Sequence, residues 1–249
     1  MRLQVIMKIM GVLLSLFSIS LLPPTAVAIL SADGTQTPFL FAFIVTLVTG
    51  FVFWFATRHR QEDLRIRDGF VIVVLFWTVL ASFGSLPLLL SEDPAMSVTD
   101  AFFESMSGLT TTGSTVITGL DNLPQGILLW RGLLQWLGGI GVIIVAMVFL
   151  PELRVGGMQI FKSEAFDTFG KILPRATAIA RQISTIYIAL TMACTLTYLA
   201  LGMSVFDATV HALTTVSTGG FANYDSSFAV FSGLPEYAAS FFMVLAALP

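Results

Sequence analysis

The sequence predicts an all-α, polytopic membrane protein built from internal repeats, and three observations carry that prediction. Of 249 residues, 56% are hydrophobic and 11% charged, with a mean hydropathy of +0.89; a soluble domain carries about 25% charged residues. Several apolar segments are long enough to cross a bilayer. One polar string also recurs further along the chain in the same register. Ser97-Val98 falls on Ser204-Val205, Asp100-Ala101 on Asp207-Ala208, Thr111 on Thr218 and Gly113 on Gly220. Internal repeats of this kind usually place a membrane protein's binding site where the repeats meet.

Taken in order, residues 9–30 form the first apolar run, preceded by Arg2 and Lys8. A basic start, an apolar stretch and Ala26-Val27-Ala28 also fit a cleavable signal peptide. A spanning helix bent at Pro23-Pro24 is the preferred reading, because further spans follow and need no export signal. Residues 38–57, 69–90, 127–150 and 178–201 read as four more spans, each above the ~17–20 residues a ~30 Å core demands. The last run, 237–249, would rise only about 20 Å as a helix. The chain is therefore expected to be cut inside its last helix.

Charge sets the orientation. If the spans alternate, eleven basic and six acidic residues share one side, among them Arg58, Arg60, Arg154, Lys162 and Lys171. The opposite side holds nine acidic residues and Arg131 alone, so the sides carry +5 and −8. The positive-inside rule makes the basic side cytoplasmic, with the N-terminus on it. Residues 97–126 must then begin and end outside. Their helical portion, 100–111, is about 18 Å long, too short to cross. It is expected to dip into the membrane and turn back at Gly113, and residues 204–231 are expected to do the same.

Both short helices open with Ser-x-x-Asp, Ser97 to Asp100 and Ser204 to Asp207. This pattern puts a hydroxyl at the N-cap and a carboxylate at the third helical position. The helices thus start outside and aim their negative C-terminal ends inward. Beyond those ends come Thr110-Thr111-Thr112-Gly113 and Ser217-Thr218-Gly219-Gly220. Irregular backbone survives at membrane depth only when buried or lining a water-filled path, and its carbonyls can replace a cation's hydration shell. Glycine permits positive φ. Two polar turns would be a sufficient description of either string alone. Their recurrence in register, below an acidic outer face, points to an ion path.

Several stretches resemble the membrane subunit of the Trk/Ktr/HKT potassium-transporter superfamily. They are 101–107 running into Thr110–Gly113, Trp130-Arg131-Gly132 through Gln135-Trp136-Leu137-Gly138-Gly139, Val155-Gly156-Gly157-Met158, and Ser217–Phe221. The resemblance covers essentially the whole chain. It implies four repeats of helix, re-entrant pore helix and helix around one pore, often after an extra N-terminal helix pair. Here the pair falls in 1–60, the first repeat in 61–150, and a cytosolic linker with a truncated second repeat in 151–249. Only two of four repeats are present. The implied function is potassium uptake through the inner, cytoplasmic membrane, with coupling to H+ or Na+ left open. The ion would be held by carbonyls of Thr110, Thr111, Thr112, Gly113, Ser217, Thr218, Gly219 and Gly220. Glycine at both 113 and 220 implies potassium over sodium. A nucleotide-binding regulatory subunit on the cytosolic side and a homodimer are also implied. Neither an organic cofactor nor nucleic acid is expected.

Glu104 and its repeat counterpart His211 are read either as tuning the filter or as buried polar contacts. Arg131 is expected to pair with Glu104 or Asp121. Gly138, Gly139 and Gly141 suit close helix packing, and Trp54 and Trp130 suit interfacial belts. Cys194 is a small apolar residue, and residues 152–176 form a solvated loop or a docking surface. A truncated, non-conducting scaffold or sensor is the competing function. An intramembrane hydrolase fails: neither histidine stands beside a Ser or Cys nucleophile, and no catalytic residues are assigned.

Overall fold

The structure is a computed structural model that describes residues 3–59, 66–149 and 169–248. Among these residues every regular element is helical. The expected first span is two helices, α1 (Leu3–Ile19) and α2 (Leu22–Ser31). The break precedes Pro23-Pro24, which lack the N–H groups that would continue the ladder. α3 (Gln36–Thr57) follows, then α4 (Ile66–Gly84) and the short α5 (Leu86–Leu90), with Pro87 just past the interruption. The remaining helices are α6 (Val98–Leu109), α7 (Gln125–Phe149), α8 (Phe169–Ala200), α9 (Val205–Val216) and α10 (Leu234–Ala246).

Among the described residues four stretches are long and apolar enough to cross a membrane: Leu3–Ser31, Gln36–Thr57, Asp68–Leu90 and Arg181–Ala200. α7, at 25 residues, also exceeds the crossing length. Large apolar side chains such as Phe41, Ile44, Val48 and Phe55 stay exposed on α3, as expected where hydrocarbon is the solvent. The 152–168 part of the expected linker, with Val155–Met158, lies outside the described residues, as do Arg60 and Arg65.

α1 and α2 belong to the core. Leu14, Phe17, Leu21 and Ala28 pack in one cluster with Phe39, Leu80, Leu109 and Trp130. α1 and α3 approach backbone to backbone at Gly11 and Gly50. A Cβ at Gly11 would stand 2.8 Å from the Gly50 carbonyl oxygen, and one at Gly50 2.9 Å from that of Gly11. Between α2 and α3, Asp33 accepts the N–H groups of Thr35 (3.0 Å) and Gly126 (2.9 Å) and the Thr35 hydroxyl (2.7 Å). Its partial burial would raise the carboxyl's pKa, but these bonds hold it below the ordinary value. They tie the α2–α3 turn to the start of α7.

Trp130 corrects the sequence reading. It is fully buried, its indole N–H donates to the Gly84 carbonyl at 2.8 Å, and it packs on Phe17 and Phe39. It seals the α4–α5 interruption instead of standing in an interfacial belt. The three α7 glycines do serve close approach: a Cβ at Gly138 would collide with the Leu109 carbonyl, one at Gly139 with the Tyr187 hydroxyl, and one at Gly141 would press on Phe76 at 3.0 Å.

Candidate functional site

α6 and α9 are twelve residues each and begin alike. Ser97 Oγ accepts the Asp100 N–H at 3.2 Å and donates to the Asp100 carboxylate at 2.7 Å. Ser204 and Asp207 repeat the pair at 3.0 and 2.7 Å. The helices also end alike. Thr110, Thr111 and Thr112 donate their N–H groups to the carbonyls of Met106, Gly108 and Ser107. Ser217, Thr218 and Gly219 donate to those of Leu213, Thr215 and Thr214, the same three bonds in the repeat register. Gly113 and Gly220 take φ of +77° and +81°, as the sequence predicts. Thr111 and Thr218, both at +54°, were not foreseen. β-branched residues are genuine outliers there, and strain of this kind clusters at functional sites.

The carbonyl oxygens of Thr110–Gly113 and Ser217–Gly220 accept no hydrogen bond from any described residue. Backbone carbonyls in folded proteins are otherwise nearly always paired. Each unpaired set follows a helix C-terminus, which carries negative partial charge. Such an arrangement suits a desolvated cation held by oxygen. Among the described residues no three His, Cys, Asp or Glu side chains are gathered as a metal centre.

The two loops touch. A Cβ on Gly113 would run into the Gly219 carbonyl oxygen. Further out, the Asp225 carboxylate accepts the N–H groups of Gly119 (2.8 Å) and Leu120 (3.0 Å), and the Asp225 N–H donates to Asp121 at 3.1 Å. These two acids, counted in the sequence among the nine on the acidic side, are clasps between the loops.

α7 stands behind both loops. Arg131 is buried and pairs with Glu104 at 2.8 Å, not with Asp121. Its other donors reach the Ala222 carbonyl (3.0 Å) and the Thr115 hydroxyl (3.2 Å), and its guanidinium lies 4.2 Å over the Phe221 ring. Glu104 also accepts the Val116 N–H at 3.1 Å and the Thr115 hydroxyl at 2.8 Å. In the second loop His211 occupies Glu104's place. Its Nε2 accepts the Asn223 N–H at 3.4 Å, the repeat counterpart of Val116, and its Nδ1 meets the Asp207 carbonyl at 2.8 Å. Both residues are buried polar supports. Gln135, one helical turn after Arg131, accepts the Phe221 N–H at 3.1 Å. Sequence reasoning passed over Gln135 and Asn223. For Gln135 the available signal was an amide side chain inside an apolar spanning segment, where polar groups are costly.

Residues 36–248 match the cation transport protein family TrkH. The chain belongs to that family. It is 48% identical over 235 residues to the Trk system potassium uptake protein TrkH of Vibrio parahaemolyticus, covering 93% of this chain and 48% of the relative. To the TrkH of Halomonas elongata it is 46% identical over 250 residues, covering 99% and 52%; to that of Escherichia coli K12, 45% over 233 residues, covering 93% and 48%. The crystal structure of the potassium transporter TrkH from Vibrio parahaemolyticus superposes with a TM-score of 0.85 at 45% identity, covering 99% of this chain and 49% of that one. The chain thus spans about half the length of the TrkH relatives it matches.

Proposed function

We propose that this chain forms half of a potassium uptake path through the cytoplasmic membrane. K+ exchanges its water shell for the carbonyl oxygens of Thr110–Gly113 and Ser217–Gly220. The observation that carries this reading is the pair of matched carbonyl strings without donors, touching at Gly113 and Gly219. The names of the relatives supply the ion. α6 and α9 act as re-entrant pore helices, entered from outside. The chain divides into a helix pair (1–60), a first repeat (61–150), and a linker with a second repeat (151–249). The N-terminus is cytoplasmic, the cytosolic face meets a nucleotide-binding regulatory subunit, and the transporter works as a homodimer.

The test is paired potassium and sodium uptake by the assembled transporter, in cells lacking other potassium routes. Gly113→Ser adds a side chain at φ +77° against the Gly219 carbonyl. It should admit sodium, since a tenfold change in preference takes only ~1.4 kcal/mol. Thr112→Ser keeps carbonyl and hydroxyl and should do less. An unchanged potassium-to-sodium ratio in well-expressed Gly113→Ser would remove these loops as the selective site.

A further inference from the structure

Gln135 is fully buried in α7, and its amide does three things at once. Oε1 accepts the Phe221 N–H at 3.1 Å, the first donor after the unpaired carbonyl string of the second loop. The amide also lies flat against Gly219, where a Cβ would stand 2.6 Å from Nε2. Finally, Nε2 is 3.7 Å from where a Cβ on Gly113 would be. The same amide therefore borders both loops where they touch. Nε2 itself is buried with no hydrogen-bond partner. An orphaned buried donor is costly, and its retention calls for a positional role at this junction. α10, the helix that follows the second loop, carries no amide side chain, so the second repeat offers no such amide.

We infer that Gln135 is a positioning residue for ion selection: it fixes the Gly219–Phe221 backbone against Gly113 and thereby sets the spacing between the two carbonyl strings. The inference rests on the uptake function proposed above. It also explains why position 219 is glycine although its φ is not positive. Any side chain there would push the Gln135 amide off the Phe221 N–H. Gly219 and Gln135 therefore act through one bond, and their substitutions must be non-additive.

Three variants of the assembled transporter test this: Gln135→Met, Gly219→Ala and the double variant. Gln135→Met keeps length and apolar stem but loses the acceptor. The readouts are the potassium-to-sodium uptake ratio, thermal melting, and amide hydrogen exchange over residues 219–223. Each single variant should lower the ratio about threefold to tenfold, the scale of one hydrogen bond. The double variant should fall no further than the worse single. A role in general stability alone would lower melting and expression with the ratio unchanged, and that result overturns the inference, as does a multiplicative double variant. If the parent transports no potassium, the uptake function fails separately. Exchange then decides: faster exchange at Phe221 in Gln135→Met supports the positioning role, and unchanged exchange refutes it.

Discussion

The two loops have the same backbone and different supports. The caps, the three turn bonds and both positive-φ positions coincide, but the loop is braced by a carboxylate in one repeat and an imidazole in the other. Glu104 accepts the Val116 N–H, and His211 accepts the Asn223 N–H. The carboxylate brings a buried charge, which requires a partner, and Arg131 supplies it. The neutral imidazole requires none, and α10, the helix that follows the second loop, carries no basic residue. Its ring is instead surrounded by Tyr224, Phe228 and Phe231. The backbone form is thus what the repeat preserves, and the support can be exchanged as a unit. Arg131 adds an asymmetry, since its spare donors cross to the Ala222 carbonyl. The second loop therefore leans on the first repeat's helix.

Breaking the ion pair should have the largest effect. Arg131→Ala strands the buried Glu104 carboxylate and should cost about 3–5 kcal/mol, read as a fall in melting temperature in lipid nanodiscs. Combining it with Glu104→His copies the second repeat's arrangement into the first. The double variant should recover most of that loss, though not the bond to Ala222. A double variant as unstable as Arg131→Ala would show that the supports are not interchangeable units.

Glycine substitution sharpens the comparison at the next level. Gly113→Ala and Gly220→Ala share the penalty of a side chain at positive φ, about 1–2 kcal/mol. Only at Gly113 does the new Cβ meet the other loop's carbonyl; at Gly220 nothing lies within 4 Å. Gly113→Ala should therefore melt lower by a further ~1–3 kcal/mol of overpacking. Equal melting of the two variants would mean that the loops do not touch there.

The outer clasp comes third. Asp225 accepts two N–H groups from the first loop and Asp121 one from the second. Asp225→Asn should be the worse of the two asparagine variants, by about 0.5–1.5 kcal/mol, the worth of one hydrogen bond. If clasping outweighs long-range attraction, its effect on cation uptake should be the same at low and high salt. Steering by exposed charge would instead fade as the Debye length shrinks from ~30 Å at 0.01 M to ~8 Å at 0.15 M. An effect of Asp225→Asn that vanishes at high salt would instead favour steering by exposed charge.

The apolar runs, the capped short helices and the matched loops were legible because each rests on local rules. Hydrophobic length gives the spans, and Ser-x-x-Asp gives the caps. What stayed hidden depends on which residue faces which across the fold. Trp130 reads as interfacial until Gly84 supplies a buried acceptor. Asp121 and Asp225 read as surface charge until the other loop's N–H groups arrive. Gln135 sits within a stretch singled out by resemblance, yet its meaning comes from Phe221 and Gly219, some 85 residues away. The first span was expected to bend at Pro23-Pro24, and the helix is instead interrupted just ahead of them, at Ser20-Leu21.

The smallest expected effect tests the strained threonines. Thr111 and Thr218 share φ +54°, in a region that costs an ordinary L-residue roughly 1–2 kcal/mol and that asparagine tolerates better. Threonine should persist at both places because of the backbone it holds, since neither hydroxyl makes a bond among the described residues, whereas Thr110 and Thr112 pair at 2.8 Å. If the strain is local and the loops are equivalent, Thr111→Asn and Thr218→Asn should each raise melting by the same small amount, about 0.5–1 kcal/mol. Differential scanning measurements on both single variants and the pair would read it, with additivity expected for two separate sites. Stabilisation at one position only would break the equivalence of the loops. Destabilisation at both would mean that the threonine methyl or hydroxyl does something that the backbone angle alone does not explain.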